Sequence, residues 1–135
     1  LKNKKKFKRQ IIALLLAEVI YIFLVEIFLK NIIVRPRPQF SIADVVLPYD
    51  FSRSFSFPSG HSTIVFAAAF ILAKMHKKWA GFYYLLAFLI AFSRIYLGKH
   101  YPSDVIVGAV IGWLIGFSSY KMVTNIMLKP TKFQL

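Results

Sequence analysis

Three short polar clusters in this chain carry the residue types that phosphate-ester chemistry needs. The first is Lys30, six residues, then Arg37-Pro38. The second is Pro58-Ser59-Gly60-His61, and the third is Ser93-Arg94, five residues, His100 and then Asp104. A phosphate ester requires cations for its oxygens, and Lys30, Arg37 and Arg94 supply three. The planar fork of Arg can bind two oxygens at once. The Ser59-Gly60-His61 turn, placed at the start of a helix, would add unpaired N–H groups and a favourable dipole, and Gly60 would let the backbone approach closely. Displacing a leaving group calls for a nucleophile and a proton donor, roles that His100 and His61 can fill. A nucleophilic His must keep one ring nitrogen bare. A carboxylate on the other nitrogen fixes that tautomer, and Asp104 lies four residues beyond His100.

The elements that must position these residues are apolar. Of the 135 residues, 58% are hydrophobic and 17% aromatic, more than a soluble domain of this size can bury. One domain over 1–135 is expected. The basic run Lys2 to Arg9 is followed by an apolar stretch from Ile11 to Leu29. It is long enough to cross a bilayer, longer than a signal-peptide core, and lacks a small-residue cleavage site. Residues 30–59 hold Pro36, Pro38, Pro48 and Pro58 and read as a loop. A second span runs from Ser59 to about Met75, a third from Trp79 to about Leu97, and a fourth from Ser103 to about Val123. Pro102 suits the first helical position of the fourth. The fold class is therefore all-α, an integral-membrane helical bundle with four transmembrane helices in this chain.

Charge sets the expected orientation. The net charge of +13 could suggest nucleic acid, but the cations sit in short connectors between spans, so no nucleic-acid partner is expected. Four spans put the N-terminal run, the Lys74–Lys78 turn, Lys121, Lys129 and Lys132 on one side. These hold twelve of the eighteen Lys and Arg, which makes that side cytoplasmic. Lys30, Arg35, Arg37, Arg53, Arg94 and Lys99 fall on the other side with all three clusters. The site is thus expected on the extracytoplasmic face, in a prokaryotic cell membrane.

The three clusters resemble, in order and spacing, the three signature motifs of the type 2 phosphatidic acid phosphatase family, which shares its site with vanadium haloperoxidases. The resemblance covers residues 30 to 104. It implies that His100 attacks phosphorus and forms a phosphohistidine, that Asp104 orients and charge-stabilises it, and that His61 protonates the leaving group. It implies that Lys30, Arg37, Ser59, Gly60 and Arg94 hold the phosphate. No metal or other cofactor is implied, and two His and one Asp among five cations make a poor cation site. Bacterial members of that family usually have six spans, with the first motif after the third; here it follows the first. Two N-terminal spans then lie outside this chain, making its four the last of a six-helix family fold, or this is a minimal member.

Residues outside the motifs carry weaker readings. Glu26 sits one helical turn before Lys30 and is expected to position it. Glu18, nearer the cytoplasmic end, would snorkel or pair with a helix upstream. Gly108, Gly112 and Gly116 form a small-residue face for helix contact. Arg35, Arg53 and Lys99 would widen the positive field and favour a pyrophosphate or another multiply charged headgroup, or would be merely solvated. Phe40, Phe51, Phe55 and Phe57 could rest at the interface and gate lipid entry. His76 reads as an ordinary residue of the cytoplasmic turn. There is no Cys, hence no disulfide or thiolate metal site.

The functional expectation is a metal-independent lipid phosphatase, with a lipid phosphate and the bilayer as partners. Undecaprenyl pyrophosphate is the favoured substrate, and phosphatidylglycerophosphate, phosphatidic acid and lipid A phosphates are alternatives. No sequence motif chooses among them, and none sets the oligomeric state. A vanadate-dependent haloperoxidase is the nearest enzymatic rival, but proteins of that kind are soluble. A non-catalytic phospholipid-binding or transport protein using the same pocket is the rival from another class.

Overall fold

The computed structural model describes residues 2–38 and 55–128. Helix α1 (Lys2–Tyr21) runs into a π-helical stretch (Ile22–Leu29) and a last short turn, α2 (Lys30–Ile32). Helix α3 (Gly60–Met75) follows, then a 3-10 turn (Lys77–Trp79), α4 (Ala80–Tyr96) and α5 (Pro102–Leu128). Three helical rods are long and apolar enough to cross a membrane: Asn3–Ile32, Lys77–Tyr96 and Pro102–Met127. Gly60–Met75 is apolar but shorter, with 16 residues. At about 1.5 Å per residue it reaches roughly 24 Å. The result is an all-helical membrane bundle. Large apolar side chains such as Phe23, Phe88 and Ile126 point outward, as a lipid-facing surface permits.

The first rod begins well before the expected Ile11, because the Lys and Arg of the basic run are good helix formers and Lys4, Lys5, Lys6 and Lys8 stand exposed. Its buried face also changes step. Ala13, Ala17, Tyr21 and Val25 are buried at intervals of four, and the next buried residue is Lys30, five further on. The amide of Lys30 donates to the Val25 carbonyl, the wide π-type bond that accommodates the extra residue. In continued α-helix the residue on this face would be Leu29. The wide turn brings a cation there instead.

Helix α3 is the central element, packed against α1, α4 and α5. The glycine face of α5 makes its closest contact. A Cβ at Gly108 would stand 2.7 Å from the Ser59 carbonyl oxygen, and one at Gly116 2.6 Å from that of Ala67. At Gly112 a Cβ would overlap the Thr63 backbone outright. Only glycine lets the two backbones meet so closely, as expected of a small-residue stripe in a membrane bundle. Where the helices touch, Ser62 Oγ donates to the Val105 carbonyl at 2.7 Å, and the Ser59 amide donates to the Asp104 carbonyl at 3.0 Å. These bonds fix the start of α3 against the start of α5.

The opposite end holds the basic connectors. His76 Nε2 meets Gln10 Oε1 at 3.2 Å, and Arg9 lies against Met75 and over the Tyr120 ring. His76 thus ties α1 to the α3–α4 turn. Glu18 is exposed on α1.

Candidate active site

The three clusters come together at the end of the bundle where α2 stops, α3 starts, α4 stops and α5 starts. Lys30 and Arg37 are both buried, at 6% and 7% exposure, an unusual state for cations. Their charges act on both His61 and His100, while those of Arg94 and Lys99 act on His61. Two imidazoles and four cations thus share one neighbourhood.

Lys30 is held from within its own rod. Its Nζ lies 2.7 Å from Glu26 Oε1, and the same oxygen accepts a hydrogen bond from Tyr21 Oη. The expected Glu26–Lys30 pair is therefore formed, with Tyr21 as a partner that its spacing did not disclose. Both groups abut Gly60. A Cβ there would be 2.5 Å from Tyr21 Oη and 2.9 Å from Glu26 Oε1. A larger residue at 60 would have to push aside the tips of the two side chains that hold Lys30.

Ser59 is the N-cap of α3, with its Oγ accepting weakly from the Ser62 amide at 3.5 Å and its carbonyl accepting from both Thr63 N and Thr63 Oγ1 at 3.0 Å. Ser59 is fully buried. The first two helical amides, of Gly60 and His61, have no bonded partner among the described residues. They leave two N–H donors open at a helix start, a geometry suited to an anion, beside an exposed His61 side chain.

The spacing in the third cluster has a local cause. Gly98, at φ 65°, ends α4 in the left-handed region and turns the chain back. The Arg94 carbonyl then accepts from Lys99 N at 3.1 Å and from His100 N at 3.3 Å. Five intervening residues thereby bring His100 back against Arg94. Arg94 itself is half-buried, its Nε on Ser93 Oγ at 3.2 Å. A glycine just past an apolar helix was the available sequence signal for this turn.

His100 is buried, and its Nδ1 lies 2.8 Å from the carbonyl oxygen of Ser56. A carbonyl only accepts, so Nδ1 carries the proton and Nε2 is bare. Asp104 Oδ2 stands farther off, 3.7 Å from Nδ1, in ion-pair range but beyond a hydrogen bond. This corrects the expectation that the Asp104 carboxylate sets the tautomer. A main-chain oxygen does so, and Asp104 contributes its field. Burial, followed by the charge of Arg37, pushes His100 down to about 4, against the opposing pull of the Ser56 carbonyl and Asp104. The imidazole is neutral near pH 7.

Asp104 is fully buried and engaged elsewhere. Its Oδ2 accepts from the Tyr101 amide at 2.9 Å, the reach-back bond of a capping box at the start of α5. Its Oδ1 lies 2.7 Å from Arg35 Nη1, which also donates to Ser103 Oγ at 2.8 Å. This corrects a second expectation. Arg35 is neither a spare cation in the field nor merely solvated, because a buried carboxylate takes up its charge.

Ser56 was not singled out by sequence. Its amide donates to the Arg35 carbonyl at 2.9 Å and its Oγ to the Pro36 carbonyl at 3.2 Å. The segment before α3 is thus hung on the first motif while it holds His100 of the third. Of the proposed gating aromatics, Phe55 and Phe57 are half-buried beside Ser56. Phe40, Phe51 and Arg53 lie outside the described residues. No group of three or more His, Cys, Asp or Glu suited to a metal ion occurs among the described residues.

Fold and site together define a helical membrane bundle with buried cations and two histidines gathered at one end. The chain belongs to the PAP2 superfamily, whose profile matches residues 10–128. It is similar to a lipid A 4'-phosphatase of Bacteroides thetaiotaomicron, 36% identical over 110 residues that cover 73% of this chain and 49% of that protein. It is also similar to an undecaprenyl-diphosphatase of Sulfolobus acidocaldarius, 33% identical over 119 residues, or 87% of this chain and 57% of the relative. The chain thus spans about half the length of these curated relatives. Its fold resembles the crystal structure of Aquifex aeolicus LpxE, with TM-score 0.66 and 38% identity over 87% of this chain and 68% of the other.

Proposed function

We propose that the chain is the catalytic part of a membrane lipid phosphatase that works through a phosphohistidine on His100, at the extracytoplasmic face. The observation that carries this reading is the His100–Ser56 bond, which leaves Nε2 bare on a neutral, buried imidazole within reach of the Arg37 and Lys30 charges. A phosphate would take its oxygens to Lys30, Arg37, Arg94 and the amides of Gly60 and His61. Nε2 attacks phosphorus, the bond to the lipid oxygen breaks, and protonated His61 gives its proton to that oxygen. The charge that appears on the phosphorylated imidazole is offset by Asp104, 3.7 Å from Nδ1. Water then attacks phosphorus and gives its proton to His61, the N–P bond breaks, and inorganic phosphate leaves neutral His100 behind. No step calls on a metal ion.

Undecaprenyl pyrophosphate is the favoured substrate. Lys99, whose charge reaches His61, adds a cation to the motif set, and a diphosphate carries the charge to use it. The named activities of the relatives include an undecaprenyl-diphosphatase and a lipid A phosphatase, so phosphatidylglycerophosphate, phosphatidic acid and lipid A phosphates belong in the same assay. The test is phosphate release from this panel in detergent, with and without EDTA. Wild type should release phosphate equally in both, and His100→Ala should release none. A strict Mg²⁺ requirement would defeat the metal-free scheme. A folded wild type that binds the lipids but releases nothing would favour a binding or transport protein. For orientation, Lys77→Cys and Tyr96→Cys should label from opposite sides of intact cells.

A further inference from the structure

Arg35 contacts the nucleophile's surroundings twice. Its guanidinium holds Asp104 Oδ1 at 2.7 Å and is itself tethered by Ser103 Oγ at 2.8 Å and by the Tyr101 ring, 4.0 Å from its centroid. Its carbonyl accepts from Ser56 N at 2.9 Å, and the Ser56 carbonyl in turn takes the Nδ1 proton of His100 at 2.8 Å. Two acceptors therefore face one N–H, a neutral carbonyl and a carboxylate. A full negative charge is the stronger acceptor, yet the carbonyl holds the proton and the carboxylate stands 3.7 Å away. Arg35 bears on both halves: its side chain holds Oδ1 of the carboxylate whose Oδ2 is held by the Tyr101 amide, and its main-chain carbonyl holds Ser56.

We propose that Arg35 is a positioning residue for the nucleophile: it holds the Asp104 carboxylate back from His100 in the resting site and hangs the Ser56 carbonyl where it selects the Nε2-bare tautomer. The inference rests on His100 being the nucleophile proposed above. Asp104 then acts chiefly once the imidazole carries phosphate and positive charge. Without the guanidinium, the buried Asp104 charge would have His100 as a close remaining cation and would draw it into the protonated, unreactive form. Asp104, Arg37 and Lys30 are the charged groups acting on His100, and the last two oppose protonation. Of these three, Asp104 is the one Arg35 restrains.

The test is a ¹⁵N-imidazole titration of His100 in detergent, assigned by its loss in His100→Gln, alongside the pH profile of kcat/KM. Arg35→Gln should raise the His100 midpoint by about one pH unit, the effect of uncovering an opposite charge at this range. The acid limb of kcat/KM should move with it, and activity should recover on the alkaline side. Arg35→Lys keeps the charge and should leave the midpoint within a few tenths. An unchanged midpoint in Arg35→Gln, with or without lost activity, overturns the proposal. Should that variant not fold, Ser103→Ala, which removes one tether, must give a smaller shift in the same direction, and no shift there overturns it equally. A wild type that releases no phosphate would sink the nucleophile reading, while the titration would still decide whether Arg35 restrains Asp104.

Discussion

The Nδ1 of His100 lies 2.8 Å from the carbonyl oxygen of Ser56, a residue 44 positions earlier in the chain. Because the acceptor is main chain, the side chain of Ser56 is not what orients the histidine. Ser56→Ala should lose only the 3.2 Å bond to Pro36, about 1 kcal/mol of stability, and keep activity within roughly threefold. Ser56→Pro removes the amide that donates to Arg35 and should abolish activity. Detergent-phase melting and phosphate release on both variants check this pair.

Burial and the Arg37 charge depress His100. Its folded value of about 4 lies below the ordinary 6.5, so folding disfavours its protonated form. The stability it contributes is complete above pH 6.5 and is lost as pH falls toward 4. The neutral nucleophile survives over the same window. The His100-dependent acid limb of kcat/KM should therefore lie near pH 4 to 5 rather than 6.5, as a pH–rate profile corrected for unfolding would show.

Glu26→Gln removes the carboxylate 2.7 Å from Lys30 Nζ. Lys30 is left buried with its charge less well held, and a charge-assisted hydrogen bond is worth about 1.5–3 kcal/mol. We expect kcat/KM to fall roughly tenfold or more. Tyr21→Phe keeps the ion pair and should cost less, with rank order across the two variants as the check.

Gly112→Ala would place a methyl group into the Thr63 backbone. The closest contact of α3 with α5 would have to open, at about 1–3 kcal/mol. Gly81→Ala, where no atom stands within 4 Å of the added carbon, is the control and should be neutral or slightly stabilising. Thermal melts in one detergent compare them.

Gly98→Ala forces a side chain into the left-handed region at φ 65°, at about 1 kcal/mol. The turn also places His100 against Arg94, so kcat should fall further than the stability loss alone explains. Turnover measured well below the melting temperature separates the two effects.

The sequence by itself determined the four apolar segments, the order of the polar clusters, the Glu26–Lys30 pair and the glycine face of α5. Each rests on a local period or a spacing of a few residues, which the helix converts directly into a face. Even here the ends moved: the first rod starts near Lys2, because polar helix formers extend a helix past its apolar stretch, and α5 continues through the apolar Ile126 and Met127 to Leu128. That Lys30 joins the buried face depends on a π-type turn that no periodicity announces.

Only the tertiary structure decided how the site is wired. The partners of His100 and Asp104 come from Ser56 and Arg35, 44 and 69 residues away. Hydrogen-bond acceptors on the main chain have no sequence signature, so Ser56 could not be told from its neighbours. A charge count treats Arg35 like any exposed cation, because whether a cation faces substrate or a buried carboxylate depends on which segments meet. Residue types supplied the reactive groups; the meeting of the three clusters assigned each its partner.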